Sequence, residues 1–221
     1  MKAKINFATL ALTSLVCLLP MILGAALYGD LPDTVAVHWN INGEADGFAP
    51  KYFAVFGIPL GLMLTNIILI VFVRNDPKRD NAAKAMRGIV EWIVPVVSIV
   101  VGPIVVFKAM GVNIPVVVIA FALVGVILIV FGNYMPKNKQ NYTIGIKLPW
   151  TLNDTENWNK THRMAGYLWI ICGIVIIGTT FLPLQNTIRI VLLLTTLAVI
   201  IAVPVLYSFL MHLKSQNGRS E

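Results

Sequence analysis

Apolar residues in this chain gather in six blocks, near 6–28, 53–73, 88–110, 114–134, 164–182 and 188–210, and polar residues are pushed into the connections between them. A helix needs about 20 predominantly apolar residues to cross about 30 Å of hydrocarbon. Each block meets that length, whereas a globular core would break such runs more often. The pattern predicts an all-α polytopic membrane protein with about six transmembrane helices. Pro95, Pro103 and Pro115 punctuate the third and fourth blocks, and the short Gly111-Val112-Asn113 link between them predicts a tight helical hairpin. Pro20, Pro59 and Pro204 interrupt other blocks, where neighbouring helices must satisfy the carbonyls they free. From Ile5 to Tyr28 the first block is too long for a typical signal-peptide core, so a retained helix is expected.

Composition agrees with this reading. Of the 221 residues 57% are hydrophobic and 12% charged, with mean hydropathy +0.80, while a soluble domain carries about 25% charged residues. The net charge of +7 would suggest nucleic acid if it formed a patch, but the charges lie almost entirely between the apolar blocks. Direct nucleic-acid binding is not expected. Lys and Arg are distributed fourteen to three between alternate connections, with only Lys51, Lys108 and Arg189 on the poorer side. By the positive-inside rule both termini are expected in the cytoplasm. Cys17 and Cys172 fall inside apolar blocks and predict no disulfide.

Two connections are long enough to hold structure. The extracytoplasmic one, 29–52, alternates at Val35, Val37 and Trp39 and continues into Asn42-Gly43, a hairpin turn signal. A small hairpin at the membrane surface is expected. The cytoplasmic one, 134–163, passes through a short alternating segment at Thr143 to Lys147 and turns at Pro149. Asn153 followed by Glu156 resembles a capping box, so the fifth helix is expected to begin near Asp154 in the cytoplasm and run unbroken into the membrane.

Ionisable residues within spans usually carry function, and here the spans hold almost none. Glu91, four residues after Arg87, is expected to pair with it at the interface, and Asn66 is the clearest mid-span polar side chain. The lack of further intramembrane carboxylates argues against an ion-coupled pump. His38 lies on the opposite side from His162 and His212, so no metal site is expected, and no cofactor motif or nucleophile motif appears. An acid–base role for Asp154, Glu156 and His162 is disfavoured because Asp154 and His162 stand two helical turns apart. An enzyme is not expected.

The densest stretch of specific residues is cytoplasmic. It contains Asn133, Pro136, Lys137, Asn138, Gly145, Lys147, Pro149, Trp150 and Thr151, then Trp158, Thr161, His162 and Arg163. On a helix Trp158, His162, Ala165 and Trp169 share one face, and Arg163 can reach phosphate head groups of the membrane lipids. These residues read equally as an interfacial anchor and as a docking surface.

The segments Pro-Lys-Asn, Ile-Gly-Ile-Lys-Leu-Pro-Trp-Thr-Leu and Trp-Asn-Lys-Thr-His-Arg within 133–163 resemble the signature of the SdpI family of bacterial membrane immunity proteins. The first extracytoplasmic loop, Leu31-Pro-Asp-Thr-Val-Ala-Val-His-Trp-Asn with Asn-Gly-Glu-Ala-Asp-Gly-Phe, resembles the domain of unknown function that commonly precedes it. Lys147 stands where that signature more often has Arg, which would weaken a bidentate contact there. The resemblance implies a multi-pass protein of the cell membrane that protects against a secreted toxic peptide. It also implies capture, in some members, of a winged-helix repressor at the membrane. On that reading His38, Trp39, Asn40, Gly43, Asp46 and Gly47 would contact the peptide, and the cytoplasmic set from Asn133 to Arg163 would dock the partner. The chain then divides into an N-terminal two-helix unit (1–75), a basic connection with the third helix (76–112) and an SdpI-like unit (113–221). A transporter or flippase for a hydrophobic peptide or lipid is the alternative, suggested by the in-span prolines and basic inner loops.

Overall fold

The structure is a computed structural model and describes residues 7–217. The basic residues Lys2, Lys4 and Arg219 used in the topology argument lie outside it. Among the described residues, six helices are long and apolar enough to cross a membrane, and they coincide with the six apolar blocks. They are α1 (Phe7–Ala26), α2 (Ile58–Arg74, entered through a π-helical turn at Phe53–Gly57), α3 (Lys84–Ala109), α4 (Val116–Tyr134), α6 (Thr155–Phe181) and α7 (Asn186–Asn217). A two-stranded hairpin, β1 (Thr34–Trp39) with β2 (Ala45–Pro50), follows α1, and a short helix α5 (Pro149–Asn153) precedes α6. The chain forms two compact units, Met1–Asn75 with Gly88–Ile119 and Asp76–Arg87 with Ala120–Glu221.

In the first unit, small residues let the helices approach closely. A Cβ on Gly102 of α3 would run into the Pro20 ring of α1, and one on Gly24 would meet Val55 at 2.7 Å. Thr13 accepts a hydrogen bond from Asn66 Nδ2 at 3.0 Å, and Ser98 Oγ donates to the Cys17 carbonyl at 2.7 Å, next to the carbonyl that Pro20 leaves without a helical donor. α3 ends in a Schellman motif: Val112 N donates to Phe107 O and Gly111 N to Lys108 O, both at 3.0 Å, with Gly111 at φ +84°. This is the tight link expected between the third and fourth spans. Glu91 receives Arg74 Nη2 at 2.6 Å, joining α3 to α2. The expected pairing with Arg87 does not form, because Arg87 turns to Asp80 at 2.8 Å.

In the second unit, α4 and α6 pack antiparallel through paired glycines. Gly125 lies against the Gly173 carbonyl and Gly132 against that of Gly166, so any Cβ there would meet backbone oxygen at 2.6–2.8 Å. Two glycines seven residues apart on each helix fall on one face, which fixes this approach. α7 carries Pro204, whose missing N–H orphans the Ile200 carbonyl four residues back. The indole Nε1 of Trp169 on α6 donates to that carbonyl at 3.2 Å. A proline in the middle of a membrane helix is thereby satisfied by its neighbour.

Candidate functional site

The hairpin packs one face on its own helices. Val35, Ala54 and Val105 form a buried cluster joined by Val37, Trp39, Ile58 and Val101, and Leu31 packs beside it with Val55 and Val106. Alternation in β1 sends these side chains inward and leaves Thr34 and His38 exposed. Gly43 takes φ +80° at the expected turn, and its N–H donates to Asn40 O at 2.9 Å. Asn40 is spent on that turn: its Oδ1 accepts the N–H groups of Asn42 and Glu44, and its Nδ2 donates to Glu44 Oε2. His38 Nδ1 lies 2.6 Å from Asp46 Oδ1 on the outer face. Gly47 passes under His38, where a Cβ would sit 2.8 Å from the His38 Cβ. Of the six hairpin residues singled out by sequence, His38 and Asp46 form one exposed polar pair. Trp39, Asn40, Gly43 and Gly47 are half-buried in the frame that holds it. Lys51 clamps the base of the hairpin, donating to Leu31 O at 3.1 Å, pairing with Asp33 and lying over the Tyr28 ring.

The 134–163 segment folds on a polar core. Asn141, fully buried, accepts the N–H groups of Thr143 and Ile144 and donates to the carbonyls of Lys139 and Ile144. Thr143 to Lys147 therefore wraps around an asparagine and forms no strand, so the alternation seen in the sequence does not report a sheet. Asp76 is buried and acts as an acceptor for three donors: Lys78 N, Tyr142 N and Thr143 Oγ1, at 2.7, 2.9 and 2.8 Å. Thr151 Oγ1 accepts Leu148 N and turns the chain into α5. Asp154 then caps α6, accepting Glu156 N at 2.8 Å and Asn157 N at 3.0 Å. The cap is thus Asp154 and not Asn153, since α5 occupies Asn153.

At the centre Trp158 and His162, one turn apart on α6 and both fully buried, stack with ring centroids 3.9 Å apart. Trp158 Nε1 donates to Asn138 O at 2.7 Å. His162 Nδ1 donates to Trp158 O at 2.8 Å, and its Nε2 accepts Ile146 N at 3.0 Å, an arrangement that only the neutral ring can make. The apolar part of α6 begins after Arg163, so His162 stands outside the membrane-spanning segment. Burial pushes its pKa from 6.5 down to about 4, against the opposing pull of the Trp158 carbonyl. Gly145 covers both rings at φ +130°, where a Cβ would collide with His162 Nε2 and press on the Trp158 ring. Asn157 donates to Ser208 O on α7 and accepts from Thr161 Oγ1, and Trp150 Nε1 donates to Ser208 Oγ at 3.0 Å.

The residues singled out here separate into two groups. Asn138, Thr151, Trp158, Thr161 and His162 are buried and bonded inside, with Gly145 over them. Asn133, Pro136, Lys137, Lys147, Pro149 and Arg163 are exposed, and Trp150 is half-buried at their edge. Trp150 stacks on His212, and beside them runs a cleft of about 240 Å³ lined by Pro149, Asn153, Asp154 and Gln216. A second, of about 570 Å³, adjoins it past Asp154 and Ser215. The three residues weighed as acid–base groups are each engaged elsewhere: Asp154 in the cap, Glu156 with Lys160 at 2.6 Å, His162 in the loop core. Among the described residues no group of three His, Cys, Asp or Glu gathers to hold a metal ion. Asp76, Asn141, Asn157 and Ser208 carry the loop core and were not singled out by sequence. The short Asn and Asp run around them signals local turn bonding, but nothing in it names their distant partners.

The SdpI/YfhL protein family matches residues 137–208, and a domain of unknown function (DUF1648) matches residues 15–63. The resemblance read from the sequence is borne out in both places. The chain is 25% identical over 196 residues to Immunity protein SdpI of Bacillus subtilis (strain 168), covering 87% of this chain and 89% of that protein. No solved structure matches. With its six apolar helices, the chain is a multi-pass protein of the cell membrane.

Proposed function

From this likeness to the SdpI/YfhL family, we propose that the chain is a membrane immunity protein that protects its cell against a secreted toxic peptide. The observation that carries the reading is the match to Immunity protein SdpI along nearly the whole of both chains. Both termini face the cytoplasm, in keeping with the fourteen-to-three distribution of Lys and Arg. The peptide is met outside at the hairpin, where His38 and Asp46 supply the exposed polar pair. Inside, a winged-helix repressor docks on the rim of the 134–163 loop, over Pro149, Trp150, Lys147 and Arg163 and the cleft beside Trp150. Exchange between the two faces requires that each ligand favour the same conformation of the protein.

Deleting the gene and challenging the cells with the secreted peptides encoded beside it tests the proposal. Heightened sensitivity, reversed by the intact gene, is expected; unchanged sensitivity to all of them would sink it. Export by a transporter or flippase, the other reading, draws on Pro20, Pro95, Pro103 and Pro204 inside the spans. Vesicles containing the purified protein that move a labelled peptide, in place of merely binding it, would favour that reading.

A further inference from the structure

Past the Asp154 cap, the start of α6 and the end of α7 face one another across the cleft of about 570 Å³. Pockets that bind small molecules span roughly 300–1,000 Å³. Asn157 Nδ2 donates to Ser208 O at 2.8 Å and holds the two helices side by side at this level. From α7 the cleft takes Tyr207, Met211 and Lys214, which share one helical face at i, i+4 and i+7. From α6 it takes Glu156 and Lys160, one turn apart and paired at 2.6 Å, with Asp154 before them.

Two lysines and two carboxylates therefore line the cleft, which offers both signs of charge and favours neither. Each retains capacity for a ligand. Lys160 has three N–H groups and gives one to Glu156 Oε1. Asp154 turns Oδ1 to both cap N–H groups and keeps Oδ2 for another donor. Lys214 and Tyr207 are exposed. The apolar part of α6 begins after Arg163, three residues beyond Lys160. Head groups extend about 5–7 Å beyond the hydrocarbon on each side, so Lys160 and the facing Tyr207 stand within that layer. Leu206 and Leu210, one residue before Tyr207 and Met211, lie on the adjoining face of α7 and are 60% and 64% exposed. An apolar track for acyl chains thus runs beside the charged cleft.

We propose that this cleft binds a zwitterionic phospholipid whose head group carries a primary ammonium, the phosphoethanolamine kind. Its phosphate accepts from Lys214, the Tyr207 hydroxyl and a remaining Lys160 N–H. Its ammonium donates to Glu156 and to Asp154 Oδ2, and its chains lie along Leu206 and Leu210. An anionic head group leaves both carboxylates facing a like charge, and a choline head group has no N–H to donate. A lone amine or phosphate meets only half of the charges.

Native mass spectrometry tests this on the full chain, released from micelles holding equal amounts of phosphatidylethanolamine, phosphatidylcholine and phosphatidylglycerol with identical chains. Phosphatidylethanolamine is expected on the protein at about five-fold over either of the others. Lys214→Ala with Tyr207→Phe is expected to reduce its retention about five-fold. Glu156→Gln removes one negative charge and frees Lys160, so it is expected to turn the preference toward phosphatidylglycerol. Equal retention of the three lipids by the unaltered chain would overturn the proposal, as would an excess of phosphatidylglycerol, the mark of basic surface alone. An unaltered preference in Glu156→Gln would also overturn it. Glycerophosphoethanolamine, the head group without chains, is expected not to displace the lipid at equal concentration; displacement would assign the cleft to a soluble ligand instead and overturn the lipid. The first comparison needs only the unaltered chain, so it decides the matter even where a variant fails to fold.

Discussion

Gly145 and His162 show how much rests on single atoms. A methyl at Gly145 meets both the left-handed backbone and the His162 ring, whereas Gly29 has nothing within 4 Å of a built Cβ. Gly145→Ala is expected to cost about 2 kcal/mol or more, against a few tenths for Gly29→Ala, read as unfolding midpoints in detergent. His162 adds a pH dependence. Its pKa in the folded chain is about 4 against the ordinary 6.5, so between those values the unfolded chain binds the proton and the folded one does not. The stability it contributes is complete above pH 6.5 and is lost as pH falls toward 4, on the order of 3 kcal/mol in all. His162→Gln should flatten that part of the acid limb in melts taken from pH 7 to 4, and an unchanged slope would refute the assignment. Sequence reading marked Gly145, Trp158 and His162 as special and left anchor and docking surface open. It did not anticipate that they would interlock, since a ring stack over a glycine depends on where a distant backbone passes.

Proline and tryptophan divide a task between α6 and α7. The Trp169 indole supplies the proton that Pro204 withholds from Ile200 O. Trp169→Phe is expected to destabilise by about 1–2 kcal/mol, and by less than half of that in a Pro204→Ala background, where the helix recovers its own donor. Equal losses in both backgrounds, measured by thermal unfolding in nanodiscs, would show that the indole acts through packing alone. At this scale the sequence was most legible. Length and apolarity placed all six spans, and Asn42-Gly43 and Gly111 marked the two tight turns. Less legible were the ends of polar elements. Asn153 and Asp154 are both good caps, and only the intervening short helix α5 decides in favour of Asp154. Glu91 likewise had a helical neighbour in Arg87, but Arg74 on another helix took it.

For the whole molecule, the immunity reading predicts that its two ends separate genetically. His38→Ala with Asp46→Ala should abolish protection while leaving the amount of protein in the membrane unchanged, by immunoblot of membrane fractions. Trp150→Ala with Arg163→Glu should leave protection intact and release the cytoplasmic partner, seen by co-purification. Loss of both properties in either variant would collapse the division. The sequence disclosed the family and the membrane crossing, yet it merged into one set the residues that build the loop and those that border it, because both are polar, aromatic and close in the chain. The inward bonding of the loop has a practical corollary for anyone screening random variants. Lesions at Gly145, Asn141, Trp158 or His162 would register as missing protein, cleared by quality control, and would say nothing about recognition. Informative alleles should be sought only along the border, among positions such as Lys147, Pro149 and Arg163, where a changed side chain leaves the scaffold standing.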